Sequence, residues 1–466
     1  MIEKNRTKGV STMHDLNHDR EIITLLAQRV SEAGGRVYYV GGCVRDALMG
    51  RESKDLDVEV HGVSPAVLES ILDTLGERTA IGESFGIYAL KGCGVDIAMP
   101  RKEHLRGRGH RDFDVCVDPD LGPREAARRR DFTVNAMMRD VLTGELIDPF
   151  RGQRDLKRGV LRHVDDETFP EDPLRVLRAA QFASRFGFRV AKETVQLCSE
   201  MDLTTLSKER VMLELEKALL QAEHPSVFFE TLRQMGQLRP WFSECADLIG
   251  APQNPRFHTE GDVWTHTMLV LDAAAQYRDR AERPLGLMLA ALTHDFGKPA
   301  TTEHESGLYH AYEHEKESAK LAQVFLRRLT NETALIDYVT SLTTLHMKPN
   351  VIVASGASVK TSNRMFDRAA DPEALICLSM ADGQGTVSPY PYVSCEENLE
   401  ARLQLYRETM AQPYVMGRDL VDAGLQPGPD FSDFLALAHK LRLAGIPKED
   451  ALKQVLAEAR RKHRKA

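Results

Sequence analysis

Asp55-Leu56-Asp57 runs directly into the alternating pair Val58 and Val60, a pattern that commits the segment to a β-strand with both carboxylates on one face. Successive strand side chains point to opposite faces, so Asp55 and Asp57 project together while Leu56 turns away. Two carboxylates placed this way can hold two divalent cations about 4 Å apart. Hard oxygen ligands favour Mg²⁺. Alone, such a pair is equally a solvated acidic strand, and the residues upstream decide between the two. The apolar Val37-Tyr38-Tyr39-Val40 leads into Gly41-Gly42, and a helix is expected from about Val44 to Met49. Glycines at such a turn let backbone N–H groups approach phosphate, and the helix start favours the anion. Arg45, in the first helical turn, is placed to meet a triphosphate. Asp96, in Val95-Asp96-Ile97-Ala98, belongs to a neighbouring strand. It is either a third site carboxylate or an ordinary strand-face acid.

A chain of 466 residues is long enough for several domains. Its 42% hydrophobic and 28% charged residues exclude the disordered and fibrous classes. No run of about 18 apolar residues occurs, so neither a transmembrane helix nor a membrane partner is expected. Met1 to Arg20 is polar and mixed in charge and reads as a flexible tail, without the apolar stretch of a signal peptide. Seven scattered cysteines with no C-x-x-C pair argue against a disulfide framework or a cysteine zinc site, and a reducing cytoplasm is the expected compartment. The net charge of −8 does not suggest a nucleic-acid binder. Nucleic acid feels the local field, however, and basic clusters occur at Arg101 to Arg111, at Arg128-Arg129-Arg130 and in the run from Arg460 to Lys465.

The patterning predicts an α+β chain. After the tail (1–20), residues 21–150 alternate short β-branched runs with helical stretches. Residues 151–250 and 251–400 read as helical, the latter rich in histidine, and 401–466 as a helical tail. Arg128-Arg129-Arg130 precedes an apolar segment that includes Phe132 and Val134. Transfer of a phosphoryl group needs positive charge around the leaving pyrophosphate, and Arg130 is the residue selected for it. Further on, Asp172 suits an N-cap and Pro173 the first helical position. Asp172, Arg175, Arg178 and Gln181 recur at i+3 and form one polar stripe. A carboxylate accepts from an exocyclic amine and a guanidinium donates to a ring nitrogen or carbonyl oxygen, so the stripe can read a base. A capped, salt-bridged helix is the alternative.

Together, Gly41-Gly42-x-x-Arg45-Asp46, Asp55-x-Asp57, Arg129-Arg130-Asp131-Phe132-Thr133-x-Asn135-Ala136 and Glu171-Asp172-x-x-Arg175-x-x-Arg178 resemble, in order and spacing, the bacterial class II tRNA nucleotidyltransferases: the CCA-adding enzymes and their poly(A) polymerase relatives. The resemblance implies a polymerase-β-like head, a mixed sheet with helices, followed by all-α neck, body and tail domains that hold tRNA. It implies catalytic Asp55 and Asp57 binding Mg²⁺. It implies nucleotide contacts from Gly41, Gly42, Arg45, Arg130, Asp172, Arg175 and Arg178, with CTP, ATP and the tRNA 3′ end as partners. Residues 100–121 look like the family's flexible loop. Position 181 is Gln where several of those relatives carry Arg.

A third group, His266, His294-Asp295 and Asp382 in that order, resembles the HD phosphohydrolase superfamily, with His314 and His346 available for a second metal position. Imidazole and carboxylate together suit a divalent transition metal and a bound hydroxide. A helical scaffold with hydrogen-bonded histidines is the competing reading. The function these signals imply is addition of C, C and A by two-metal phosphoryl transfer. An A-adding enzyme or poly(A) polymerase shares the Asp172 and Arg175 pair. An HD-type hydrolase of phosphate esters or cyclic nucleotides is the alternative from another class.

Overall fold

A computed structural model describes residues 15–53, 55–79, 86–105, 113–390 and 392–463. The chain folds as two compact units, one running to Leu206 and including Gln234–Gln237, the other formed by Ser207–Arg233 and Leu238 onward. The break therefore falls inside the 151–250 segment. The expected boundary at 400/401 cuts through a continuous helix, Glu396–Ala411.

The first unit opens with α1 (Leu16–Glu32), capped by the Asp15 carboxylate, which accepts the Asn17 N–H. Ile23, Leu26, Ala27 and Val30 recur at helical spacing and are all buried. Residues 16–20 thus belong to a packed helix rather than to the expected tail, because this apolar stripe needs the sheet to cover it. The next elements are β1 (Arg36–Val40), α2 (Gly42–Leu48), β2 (Leu56–His61), α3 (Pro65–Leu75), β3 (Arg78–Thr79), β4 (Ile87–Leu90) and β5 (Val95–Ala98). A ribbon of β6 (Arg101–Leu105) and β7 (Phe113–Val117) follows, then α4 (Pro123–Arg128), β8 (Met138–Asp140) and β9 (Leu146–Ile147). The ribbon occupies the predicted loop segment, whose residues 106–112 lie outside the described ones.

Seven strands form one sheet in the order β3-β4-β5-β2-β1-β8-β9. β2 and β5 run parallel, and the other pairs are antiparallel. The period-2 alternation sorts the two faces. Val37, Val58 and Val60 pack with α1 and α3, while Tyr38 and Val40 pack against Ala126 and Ala127 of α4. The acids of β2 share the second face. Beyond the sheet come α5 (Gly152–Lys157) and α6 (Leu174–Phe186). Helix α6 begins one residue later than predicted, with the Asp172 carboxylate still accepting the Leu174 N–H at 3.0 Å as a cap does.

The second unit is helical. Val263–Ala274, Pro284–Thr293, His314–Leu329, Thr333–Leu345 and Pro372–Gly385 surround the histidine cluster. Gly417–Asp422, Phe431–Leu443 and Lys448–His463 build a separate small core from Leu420, Phe434, Ala438, Ala451 and Val455. No helix among the described residues is long and apolar enough to cross a membrane.

Candidate functional site

In the first unit the parallel pairing of β2 with β5 sets Asp57 directly opposite Asp96. Residues opposite one another share a face, so a third carboxylate stands beside Asp57, while Asp55 lies one residue before β2. Asp55 is exposed; Asp57 and Asp96 are half-buried. At the end of β1 the chain turns through Gly41 at φ +73°, a left-handed conformation open to glycine at little cost. The missing side chain also makes room. A Cβ built on Gly41 would lie 3.1 Å from Arg130 Nη1, and one on Gly42 would lie 3.5 Å from Arg45 Nη2. Two guanidiniums therefore border the Gly41-Gly42 turn.

Arg45 is buried and already held. It donates to Asp46 Oδ1 at 2.8 Å and to Asn135 Oδ1 at 2.7 Å, and its guanidinium lies 4.5 Å from the Phe186 ring centre. The predicted triphosphate contact is thus also a link from α2 to α6. The run of three arginines splits by role: Arg128 pairs with Asp165 at 2.8 Å and Glu167 at 2.7 Å, while Arg130 turns toward Glu59.

The stripe on α6 faces this segment. Arg175 donates to the carbonyls of Thr168 and Arg129, both at 2.6 Å. Arg178 donates through Nε and Nη2 to Asp131 Oδ2 at 2.8 and 2.6 Å. Asp131 is buried, and its other oxygen accepts from the Phe132 N–H and from Asn135 Nδ2. Burial would raise this acid, but the Arg178 charge and the Asn135 and Arg178 hydrogen bonds outweigh it and hold it below the ordinary value. Gln181 is buried, and its amide nitrogen has no hydrogen-bond partner among the described residues.

In the second unit, His266, His294 and Asp382 bring ligand atoms within 4.8 Å of one another, and so do Asp295, His314 and His346. Asp295 lies between the groups: Oδ2 is 3.2 Å from His294 Nε2 and Oδ1 is 3.2 Å from His314 Nε2. The histidines are pre-set. His294, His314 and His346 each direct Nδ1 at a backbone carbonyl three residues earlier, at 2.8, 2.9 and 2.7 Å. A carbonyl can only accept, so Nδ1 carries the proton and the Nε2 lone pair points inward. His314 and His346 then face each other through Nε2 at 3.3 Å, and His294 faces His266 at 3.4 Å. Lone pairs so close repel unless a cation or proton lies between them. Neither oxygen of buried Asp295 makes a well-formed hydrogen bond, although the Lys298 ammonium is 2.6 Å away. The residues present fit a metal. Against burial, the hydrogen bonds to Asp382 and Glu260 push His266 up to about 9, so a metal there would displace a proton, whereas burial and the neighbouring His294 push His346 down to about 3 and leave its lone pair free.

Sequence reasoning missed Glu260. Its buried carboxylate accepts from His266 Nδ1 at 3.1 Å, His258 Nδ1 at 2.8 Å and the Val387 N–H at 3.1 Å. No periodicity marks a loop residue, and its partners converge from distant segments. Gly297 is the glycine that follows the His294-Asp295 doublet, and the structure gives it a steric reason: a Cβ there would run into the His314 carbonyl. Its absence lets the turn after Asp295 close onto the helix that begins with His314.

Three family models match the chain: Poly A polymerase head domain over residues 37–162, Probable RNA and SrmB- binding site of polymerase A over 187–249, and HD domain over 263–383. The multifunctional CCA protein of Nitrosococcus oceani is 37% identical over 405 residues, covering 84% of this chain and 93% of the relative. The chain belongs to the multifunctional CCA protein family. The Xanthomonas campestris member is 36% identical, with 90% of this chain and 100% of the relative covered. The fold agrees. The Thermotoga maritima CCA-adding enzyme complexed with tRNA(CCA) superposes with a TM-score of 0.60 at 22% identity, covering 95% of each chain. The Bacillus stearothermophilus CCA-adding enzyme in complex with CTP superposes at 0.62 and 20% identity, covering 96% of this chain and 99% of that one.

Proposed function

We propose that this chain adds C, C and A in turn to the 3′ end of tRNA, taking the nucleotides from CTP and ATP. The observation that carries the reading is the Gly41-Gly42 turn, bordered by Arg45 and Arg130 and followed by Asp55 and by the strand bearing Asp57, in a chain whose relatives are multifunctional CCA proteins over nearly their whole length. In the reaction the tRNA 3′-oxygen bonds to the α-phosphorus of the nucleotide, and the bond to pyrophosphate breaks. Asp55 and Asp57, with Asp96 beside Asp57, would hold Mg²⁺. Bound there, Mg²⁺ supplies charge neutralisation for the triphosphate and acidifies the attacking hydroxyl. The glycines let the triphosphate reach the backbone, and Arg45 and Arg130 offset its charge. Asp172, Arg175 and Arg178, on and just before α6, read the base: the carboxylate accepts from the amine that C and A share, and an arginine donates to ring nitrogen or carbonyl oxygen. The cytoplasm is the compartment these substrates imply, in keeping with seven unpaired cysteines.

The inward-facing Nε2 atoms of the second unit support an additional activity. His266, His294, Asp295 and Asp382 would bind a divalent transition metal, with His314 and His346 at a second position, and hydrolyse phosphate esters or cyclic nucleotides. Such an ion supplies a hydroxide nucleophile at neutral pH. The test is incorporation on tRNA transcripts ending before CCA, after C and after CC, alongside hydrolysis of a model phosphodiester. Substituting Asp55 or Asp57 by Ala abolishes incorporation and spares hydrolysis; substituting His294 and Asp295 by Ala does the reverse. Addition of A only, to the CC-ended transcript alone, would replace the CCA-adding reading with an A-adding one.

A further inference from the structure

Glu59 lies two residues beyond Asp57 on β2, on the same face, and is only 2% exposed. A buried carboxylate is costly to keep unless hydrogen-bonding or charged partners surround it. Glu59 has them. Oε1 faces His61 Nε2 at 2.8 Å, and Oε2 faces Arg130 Nη2 at 3.4 Å. His61 is fixed in turn by its other ring nitrogen, which donates to the Leu121 carbonyl at 3.1 Å, and its ring stands edge-on to Tyr38. Burial would raise Glu59, but the His61 hydrogen bond and the Arg130 charge outweigh it and hold the acid below its ordinary value. The group is a fixed negative charge on a rigid strand.

Arg130 distributes its nitrogens unevenly. Nη2 turns to Glu59, Nη1 stands beside the Gly41 turn, and Nε is buried with no hydrogen-bond partner among the described residues. A long side chain is thereby pinned by one edge, and among the described residues Nη1 has no hydrogen-bond partner where it stands next to Gly41. We propose that Glu59 is the positioning residue of Arg130: it fixes the guanidinium at the Gly41-Gly42 turn before nucleotide arrives and so sets the affinity for the triphosphate. The proposal rests on the reading of Arg130 as a triphosphate contact. Holding a group in its productive place in advance removes an ordering cost from the binding step. Because C and A carry the same triphosphate, both nucleotides feel the effect alike, and tRNA affinity does not change.

The experiment is steady-state incorporation of CMP and AMP by the full-length protein as wild type, E59Q, R130Q and the double variant. Circular dichroism confirms folding of each. In E59Q the KM for CTP and for ATP rises about tenfold, the weight of one charge-assisted hydrogen bond, while the KM for tRNA stays as in the wild type. The double variant is no worse than R130Q, because Glu59 acts only through Arg130. E59D, which keeps the charge, recovers most of the loss and stands in if E59Q does not fold. Additive losses in the double variant, or an unchanged nucleotide KM in E59Q when R130Q raises it, would overturn the positioning role alone. An unchanged nucleotide KM in R130Q itself would overturn the reading of Arg130 and the proposal with it.

Discussion

Replacing Asp131 by Asn keeps the shape of the side chain and removes one charge from the centre of the first unit. Oδ1 can still accept from the Phe132 N–H and Asn135, but an amide nitrogen now confronts the Nε and Nη2 donors of Arg178, which lie 2.8 and 2.6 Å from Oδ2. Leaving one member of a buried ion pair unpaired costs about 3–5 kcal/mol, and since Arg178 keeps some exposure the lower end, about 3 kcal/mol, applies. With an m-value of about 2–3 kcal/mol per molar urea for a unit of this size, the midpoint falls by about 1 M. Spectroscopy can separate the units, because both tryptophans, Trp241 and Trp264, lie in the second. The far-ultraviolet transition of the first unit moves while the tryptophan fluorescence transition stays. The sign with pH follows from Asp131 lying below its ordinary value in the folded chain. Its contribution is complete above the unfolded value near 4 and is lost as pH falls through the folded value. The deficit of D131N is therefore full at pH 7 and shrinks in acid. A midpoint shift at pH 7 of less than about 0.2 M, or a deficit that persists unchanged in strong acid, would refute the reasoning.

Three further outcomes follow from geometry. Asp96→Asn lowers the rate of nucleotide incorporation and raises the Mg²⁺ concentration needed for half-maximal activity, because it removes a charge opposite Asp57; a Mg²⁺ titration of the initial rate checks it. Gly297→Ala drives a Cβ against the His314 carbonyl and the Ser318 nitrogen. It destabilises the second unit by about 1–3 kcal/mol, read by tryptophan fluorescence, with loss of bound transition metal in elemental analysis. Glu260→Gln weakens transition-metal binding about tenfold by loosening His266, measured by titration with Co²⁺ and its visible spectrum, while CCA addition is unaffected.

Much of the site was legible because it depends on local periodicity. The alternation from Leu56 to Val60 was enough to mark β2 and to put Asp57 on the face opposite Leu56, although the strand begins one residue after Asp55. The i+3 recurrence from Asp172 to Gln181 was enough to align the stripe on α6, and the order His266, His294-Asp295, Asp382 marked the second centre. Other features were invisible for an equally physical reason. The tail expected to reach residue 20 gives way to a helix from Leu16, because the stripe of Ile23, Leu26, Ala27 and Val30 is stabilised by the sheet it covers. Arg45, expected only to meet phosphate, finds a partner in Asn135, ninety residues away.

The sequence by itself determined the chemistry available to this protein: which side chains are acids, which turns admit phosphate, and on which face of each strand or helix they fall, since backbone geometry repeats every two or 3.6 residues. Only the tertiary structure decided which of those faces meet. The register of β2 on β5 sets Asp96 beside Asp57, the buried Glu59 carboxylate turns Arg130 toward Gly41, and closure of the Gly297 turn places Asp295 between two histidine groups. Such pairings link residues far apart in the chain and are selected by packing of the core as a whole, which no local pattern encodes.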